Sequence, residues 1–284
     1  MKTSTKVSAF FVGLLMLLAA FSPAFALTSA ITAPNMVVAR SDGSSWSSTN
    51  WSGYAVTGAT GSVTSASGSW TVPTASPGTS GTTAYYSAFW VGIDGFSSST
   101  VEQTGTLAET VGTTVEYYAW YEFYPSPMYQ ITSLTIKPGD EISASVTYTG
   151  TSGGSGRGFF GRQSSTFIAT IKDMTTGKSY TTTQSVNNAA RSSAEFIAEA
   201  PSSYRGVLPL ANFGTVNYGL GINTLAPGTC YATVGGVSGA LGSFGSAVQE
   251  ITMVTNAGVT KALPSAPLSS EGTSFSVAWK SAGP

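Results

Sequence analysis

The chain has 284 residues, of which only 9% are charged, and its formal net charge is −1. It has no histidine, which removes Ser-His-Asp and Cys-His hydrolases, HExxH zinc enzymes and His-ligated deaminases together. Its single cysteine, Cys230, excludes an intramolecular disulfide and a cysteine zinc cluster, and the near-neutral charge offers no electrostatic grip on nucleic acid.

In chain order, Lys2 and Lys6 precede an apolar run at 7–21 and a small-residue site at Ala24, Phe25 and Ala26. This is the pattern of a signal peptide over 1–26, so a secreted, extracellular product is expected. No later run has the ~20 apolar residues of a spanning helix, and no membrane anchor is expected. Residues 27–48 are polar and irregular, which reads as a propeptide or a loose arm; acid is expected to remove residues up to about Trp46.

From 49 to 284 the sequence reads as a single domain. Short alternating runs bounded by Gly, Pro, Ser and Asn predict an all-β sandwich or barrel, with strands at 68–72, 84–93, 100–105, 114–124, 131–136, 141–149, 166–173, 179–186, 193–199 and 249–254. The glycine-rich stretch 149–158 reads as a flexible hairpin tip or insertion, and TTGK at 175–178 as a tight turn.

Because side chains alternate across a strand, each run divides into two faces. In 141–148, Ile142, Ala144, Val146 and Tyr148 take one face, leaving Glu141, Ser143, Ser145 and Thr147 for solvent. In 115–124, Val115, Tyr117, Ala119, Tyr121 and Phe123 oppose Glu116, Tyr118, Trp120, Glu122 and Tyr124. In 89–94 the core side is Phe89, Val91 and Ile93, which leaves Trp90, Gly92 and Asp94 opposite. In 193–199, Ala194, Phe196 and Ala198 face the core, with Glu195, Ile197 and Glu199 on the other side. Acids beside aromatics on the non-core face point to an open concave sheet lined for binding.

No GxxxxGK[ST] loop is present, GGSGRG at 153–158 lacks a following helix, and none of the four Asp residues lies in an Asp-Thr/Ser-Gly turn. What remains is catalysis by carboxylates and amides. In VEQTG at 101–105, Gln103 is a neutral donor that keeps its hydrogen-bonding capacity in acid. A glutamate near it serves as general base when ionised or as acid when protonated, and the ordinary Glu value of about 4.3 places such chemistry at low pH. Few acids, no His and an uncharged polar surface suit the same conditions.

At these residues the sequence resembles the glutamic peptidases, also called eqolisins. The resemblance rests on NWSGYAV at 50–56, SGSWTVP at 67–73, WVGIDG at 90–95, EQTG at 102–105, YAWYEFYP at 118–125, SSAEFIAE at 192–199 and PLANFGTV at 209–216. It implies a concanavalin A-like jelly-roll sandwich of two antiparallel sheets with the site on the concave face. It implies Gln103 and Glu195 as the catalytic pair, with Trp90, Asp94, Trp120, Glu122 and Tyr124 binding substrate or supporting the pair. Polypeptide substrates, no cofactor, no metal and a monomer are the corresponding expectations. Two other readings stand beside it: a jelly-roll glycoside hydrolase using Glu122 and Glu195, and a carbohydrate-binding module in which Trp90, Trp120 and Tyr124 stack on sugars.

Overall fold

A computed structural model describes residues 31–34, 36–42, 45–77, 81–152, 163–219, 229–265 and 268–283; the signal peptide expected at 1–26 and positions 153–158 lie outside them. The strands are β1 (Val38–Asp42), β2 (Ser45–Ser48), β3 (Trp51–Thr57), β4 (Val63–Thr71), β5 (Ala84–Ile93), β6 (Val101–Val111) and β7 (Thr114–Tyr124). They continue with β8 (Tyr129–Thr135), β9 (Glu141–Ser152), β10 (Ser164–Asp173), β11 (Ser179–Asn187), β12 (Ser193–Glu199), β13 (Ser202–Ser203) and β14 (Gly206–Val207). The last are β15 (Thr215–Tyr218), β16 (Tyr231–Val234), β17 (Val237–Ala240), β18 (Val248–Val254), β19 (Thr260–Pro264) and β20 (Phe275–Trp279).

One sheet runs β8, β7, β6, β5, β12, β3, β18, β2 and β1, antiparallel throughout except for the parallel pair β2 and β18. The other carries β11, β10, β9 and β4, with β15 and β16 on the far side of β4, and β20 and β19 beyond β15. Pairing of β18 with β19 joins the two sheets along one seam, so the sandwich is nearly closed. The all-β sandwich expected from the alternating runs is the observed fold. No helix among the described residues is long and apolar enough to cross a membrane.

The main core lies between the sheets. Ile142, Ala144 and Val146 of β9 and Phe167, Ala169 and Ile171 of β10 meet Phe89, Val91 and Ile93 of β5 and Ala194, Phe196 and Ala198 of β12. These are the faces that alternation assigns to the core. One assignment needs correction: Glu141, expected in solvent, is buried, because Thr175 in the turn after β10 folds over it and its Oγ1 accepts the Glu141 amide at 2.8 Å.

Strand β3 was absent from the expected set for a physical reason. All of its residues except Thr57 are buried, so it shows no alternation between apolar and polar. Its second face is covered because residues 31–34 and 36 lie across the outer side of the first sheet. Ile31, Ala33 and Met36 form there a second apolar cluster with Trp51, Trp90, Trp120, Ile197 and Ile251. The segment 27–48, read as a propeptide or loose arm, is therefore seated on the domain from residue 31, and its later part supplies β1 and β2.

Candidate active site

The register of the first sheet sorts its outward side chains into rows. One row crosses β3, β12, β5, β6 and β7 as Ala55, Glu195, Gly92, Gln103 and Glu122. The next is Gly53, Ile197, Trp90, Gly105 and Trp120, and the third is Trp51, Glu199, Ala88, Leu107 and Tyr118.

Gly92 is therefore the lateral neighbour of both Gln103 and Glu195. With strands ~4.8 Å apart, the two Cα positions stand about 10 Å from each other, and the residue between them on this row carries no side chain. A Cβ on Gly92 would approach the Glu102 carbonyl oxygen to 2.9 Å, and Gln103 Cβ and the Trp90 ring edge at Cζ3 each to 3.0 Å. Glycine here keeps the amide and the carboxyl facing one gap. This residue was missed as a site residue; it was already on the correct face in the sequence, between Trp90 and Asp94.

Gln103 is fully buried, and its Nε2 donates to Glu122 Oε2 at 2.9 Å and to the Ala33 carbonyl oxygen at 2.5 Å. Glu122 Oε2 also accepts the Ala33 amide at 2.9 Å. Burial pushes the Glu122 carboxyl well above the ordinary carboxylate range, and its bonds from Ala33 and Gln103 offset this in part.

Glu195 is fully buried, and neither of its oxygens has a hydrogen-bond partner of good geometry. Burial raises its carboxyl well above the ordinary range; the Ser193 hydroxyl opposes this in part, the nearby charges of Asp94 and Glu102 reinforce it, and the Phe96 amide opposes it least. A buried acid without a partner is costly unless it is protonated, so this group holds its proton to higher pH than a surface glutamate.

Asp94 sits just past β5 in a left-handed conformation, with φ of 70°. Its carboxylate accepts the Arg191 amide at 2.6 Å, the Ser192 amide at 2.9 Å and the Ser192 hydroxyl at 3.2 Å. It thus pins the chain leading into β12, and so fixes where Glu195 begins its strand. Trp90 is buried, with its Nε1 donating to Glu199 Oε2 at 2.8 Å and its ring edge-on to Trp51 at 4.9 Å. Trp120 is buried, and Tyr124 is half-buried against the same cluster.

Two residues belong to this face that the candidate set did not include. Glu199 is fully buried between Trp90 Nε1 and Asn50 Nδ2, the latter at 3.4 Å, and burial followed by the Glu122 charge raises its carboxyl well above the ordinary range. Trp51 Nε1 donates to the Pro34 carbonyl at 3.2 Å. Alternation had put Glu199 on the same side as Glu195, so the signal was present. Trp51 offered none, since β3 does not alternate.

The face expected to be an open trough is covered in this chain by residues 31–34 and 36. The glycosidase arrangement is disfavoured by the row itself: Gln103 stands between Glu122 and Glu195, and Glu122 is engaged with it. The stacking module is disfavoured because Trp90 and Trp120 are inside the protein. Among the described residues no group of His, Cys, Asp and Glu is placed to hold a metal ion.

The Peptidase A4 family model matches residues 49–260. Aspergillopepsin-2 of Aspergillus niger is 32% identical over 191 residues, 60% of this chain and 62% of that protein. Scytalidopepsin B of Scytalidium lignicola is 35% identical over 154 residues, 53% of this chain and 51% of that protein. The matches thus span between half and two thirds of these relatives' lengths. A crystal structure of scytalido-glutamic peptidase with a transition state analog inhibitor superposes with a TM-score of 0.61 at 27% identity, covering 82% of this chain and 98% of that one. Aspergilloglutamic peptidase from Aspergillus niger superposes with a TM-score of 0.53 at 28% identity, over 69% of this chain and 99% of that one. With a matched region that contains every strand of the row bearing Glu195, Gln103 and Glu122, this chain belongs to the Peptidase A4 family.

Proposed function

We propose that the chain is a secreted, acid-active endopeptidase that hydrolyses polypeptides with Gln103 and Glu195. The observation that carries this reading is the contact of Gln103 Nε2 with a peptide carbonyl, that of Ala33, beside the unpartnered carboxyl of Glu195 across Gly92. An amide donor aimed at a peptide oxygen in a dry site stabilises the charge that develops there when the carbonyl carbon is attacked. Glu122 accepts the other hydrogen of the Gln103 amide and so holds it in orientation.

In the reaction, a water held between the two groups adds to the carbonyl carbon while Glu195 takes its proton. The oxygen becomes an oxyanion bonded to Gln103 Nε2. The C–N bond then breaks as Glu195 passes the proton to the leaving nitrogen, and the carboxyl product retains the water oxygen. The raised proton affinity of Glu195 favours the return of the proton, and it also supports a start from the protonated acid. Relatives named as glutamic peptidases and the leader at 1–26 support the secreted peptidase reading.

Casein digestion in acid tests it. The wild-type protein should cleave denatured casein at low pH and leave β-glucan intact. Glu195→Gln should lower kcat/KM by at least about 10³-fold, within the range of general acid and base contributions. Gln103→Ala should lower it by roughly 10²- to 10³-fold, the cost of one oxyanion donor. Full activity in Glu195→Gln would end the proposal.

A further inference from the structure

The sheets are joined along the seam where β18 pairs with β19, but at the opposite edge β8 and β11 are not paired with each other among the described residues. A cavity of about 740 Å³ lies there, a size usual for small-molecule sites. One wall is the inward face of β7 and β8, with Tyr121, Phe123 and Tyr129, and the other is β11, with Gln184, Val186 and Asn187. Val186 is buried while Gln184, on the same face, is exposed, so the sheets stand apart at this edge. Tyr121 and Phe123 alternate with Glu122, which puts the cavity on the reverse of the catalytic row, away from Gln103, Glu195, Trp90 and Trp120. Tyr121 stacks on Tyr129 at 5.3 Å and 16° and on Tyr180 at 5.8 Å and 14°, which holds the three rings nearly parallel; Tyr129 is 49% exposed.

We propose that this cleft binds a neutral oligosaccharide, a chain of hexopyranose units, independently of the catalytic row. No charged side chain lines it, so a phosphate, a carboxylate or an ammonium group finds no counter-charge there. The polar groups it offers are side-chain amides and hydroxyls. Those of Asn187 and Asn188 bond to nothing among the described residues. Thr100, also in the lining, is buried with its Oγ1 unpartnered, a cost that a ligand hydroxyl removes. Each amide offers two donors and an acceptor, which matches sugar hydroxyls that both give and accept. The tyrosine faces, negative at their centres, suit the C–H groups on one side of a pyranose ring. A peptide strand is instead gripped through ladder bonds and apolar side-chain pockets, and the polar groups of this lining are side-chain ones. No carboxylate lines the cleft, so the sugar is held there and not cleaved.

Titration calorimetry of the full chain with laminarihexaose, cellohexaose and mannohexaose tests this. At least one should bind with a Kd of about 1 mM or tighter. Tyr129→Ala and Gln184→Ala, both at exposed positions and on opposite walls, should each weaken that binding by about tenfold or more and leave casein hydrolysis unchanged. Glu195→Gln should leave the binding as it is. Ovalbumin with its neutral N-glycan, compared with the same protein deglycosylated, distinguishes the source of the sugar: a lower KM for the glycosylated form assigns it to the protein substrate, and equal KM values assign it to a separate polysaccharide. Binding of none of the three hexasaccharides overturns the proposal. So does binding that survives both wall variants, is lost in Glu195→Gln, or is displaced by casein peptides, which would make the cleft a peptide site. The heat of binding is read without turnover, so a chain that binds sugar but fails to digest casein overturns the peptidase reading alone.

Discussion

The strands β5, β6, β7 and β12 have two faces that are both dry and differ in chemistry. Toward the second sheet they present mostly apolar side chains, Phe89, Val91, Ala194 and Phe196 among them, with Glu102 as a buried acid in the row of Ile93 and Ala194. Away from it they present Gln103, Glu122, Glu195 and Glu199, all fully buried. On that face Glu195 has both oxygens without partners, and Gln103 Oε1 and Glu122 Oε1 are also unpartnered. Native interiors satisfy nearly all buried polar groups, so a row of exceptions marks a place where the fold tolerates a cost for the sake of chemistry. Apolar burial holds the strands together, and polar burial on the reverse of the same strands sets proton affinities.

The largest expected effect separates the two faces outright. Glu195→Gln should remove at least about 10³-fold of kcat/KM, yet leave the fold intact and raise Tm at neutral pH, because it deletes a buried ionisable group that burial disfavours in its charged form. Phe196→Ala, one residue further along β12 and on the opposite face, should do the reverse. It opens a cavity in the main core and should cost about 3–5 kcal/mol of stability, measured by urea unfolding, while the pH profile of the protein that remains folded keeps its shape. If Phe196→Ala shifted that profile, the two faces would not be separable functions.

Gly92→Ala comes next. The added methyl meets the Glu102 backbone and Gln103 Cβ at the tight distances given above, and it enters the gap that Gln103 and Glu195 share. Overpacking of this kind costs about 1–3 kcal/mol, and kcat should fall by more than KM changes, since the alteration lies between the reacting groups rather than in a subsite. Steady-state kinetics on casein or a peptide substrate check it.

Much of this comparison was legible in the chain. Period-two alternation in 89–94 and 193–199 assigned Phe89, Val91, Phe196 and Ala198 to the core, and Trp90, Glu195 and Glu199 to the other side, as the structure has them. It could not show that the other side is closed over, because the cover comes from residues 31–34 and 36, which carry no periodic pattern. The same cover hid β3: a strand buried on both faces has no polar face to alternate with. Asp94 was placed with Trp90 by counting in twos, but its left-handed backbone ends the strand there, and its carboxylate turns to the amides of Arg191 and Ser192 instead. Gly92 shows the converse limit, since a residue whose contribution is a missing side chain leaves no chemical signal of its own.

The smallest effect is on stability against pH, and its sign follows from the buried acids in and around these strands, most of them on the polar face. Asp94, Glu102, Glu122, Glu195 and Glu199 all have carboxyls raised in the folded chain, in each case chiefly by burial. An acid whose folded value lies above its unfolded value binds more protons in the folded state. Its contribution is fully present below the unfolded value, about 4 for Asp and Glu, and is lost as pH rises through the folded value. The wild-type protein should therefore have its highest Tm near or below about pH 4 and lose several degrees toward neutrality, the opposite of a protein whose carboxylates are held by ion pairs. Glu199→Gln should flatten that slope by a fraction, because Trp90 Nε1 and Asn50 partly support its charge, and Glu195→Gln should flatten it more, because nothing bonds its oxygens well. Scanning calorimetry from pH 3 to 8 on the three proteins would show the ordering; a Tm that rises toward neutral pH would mean that these acids are charged and compensated in the folded state, and the polar face would lose the property that distinguishes it from the core.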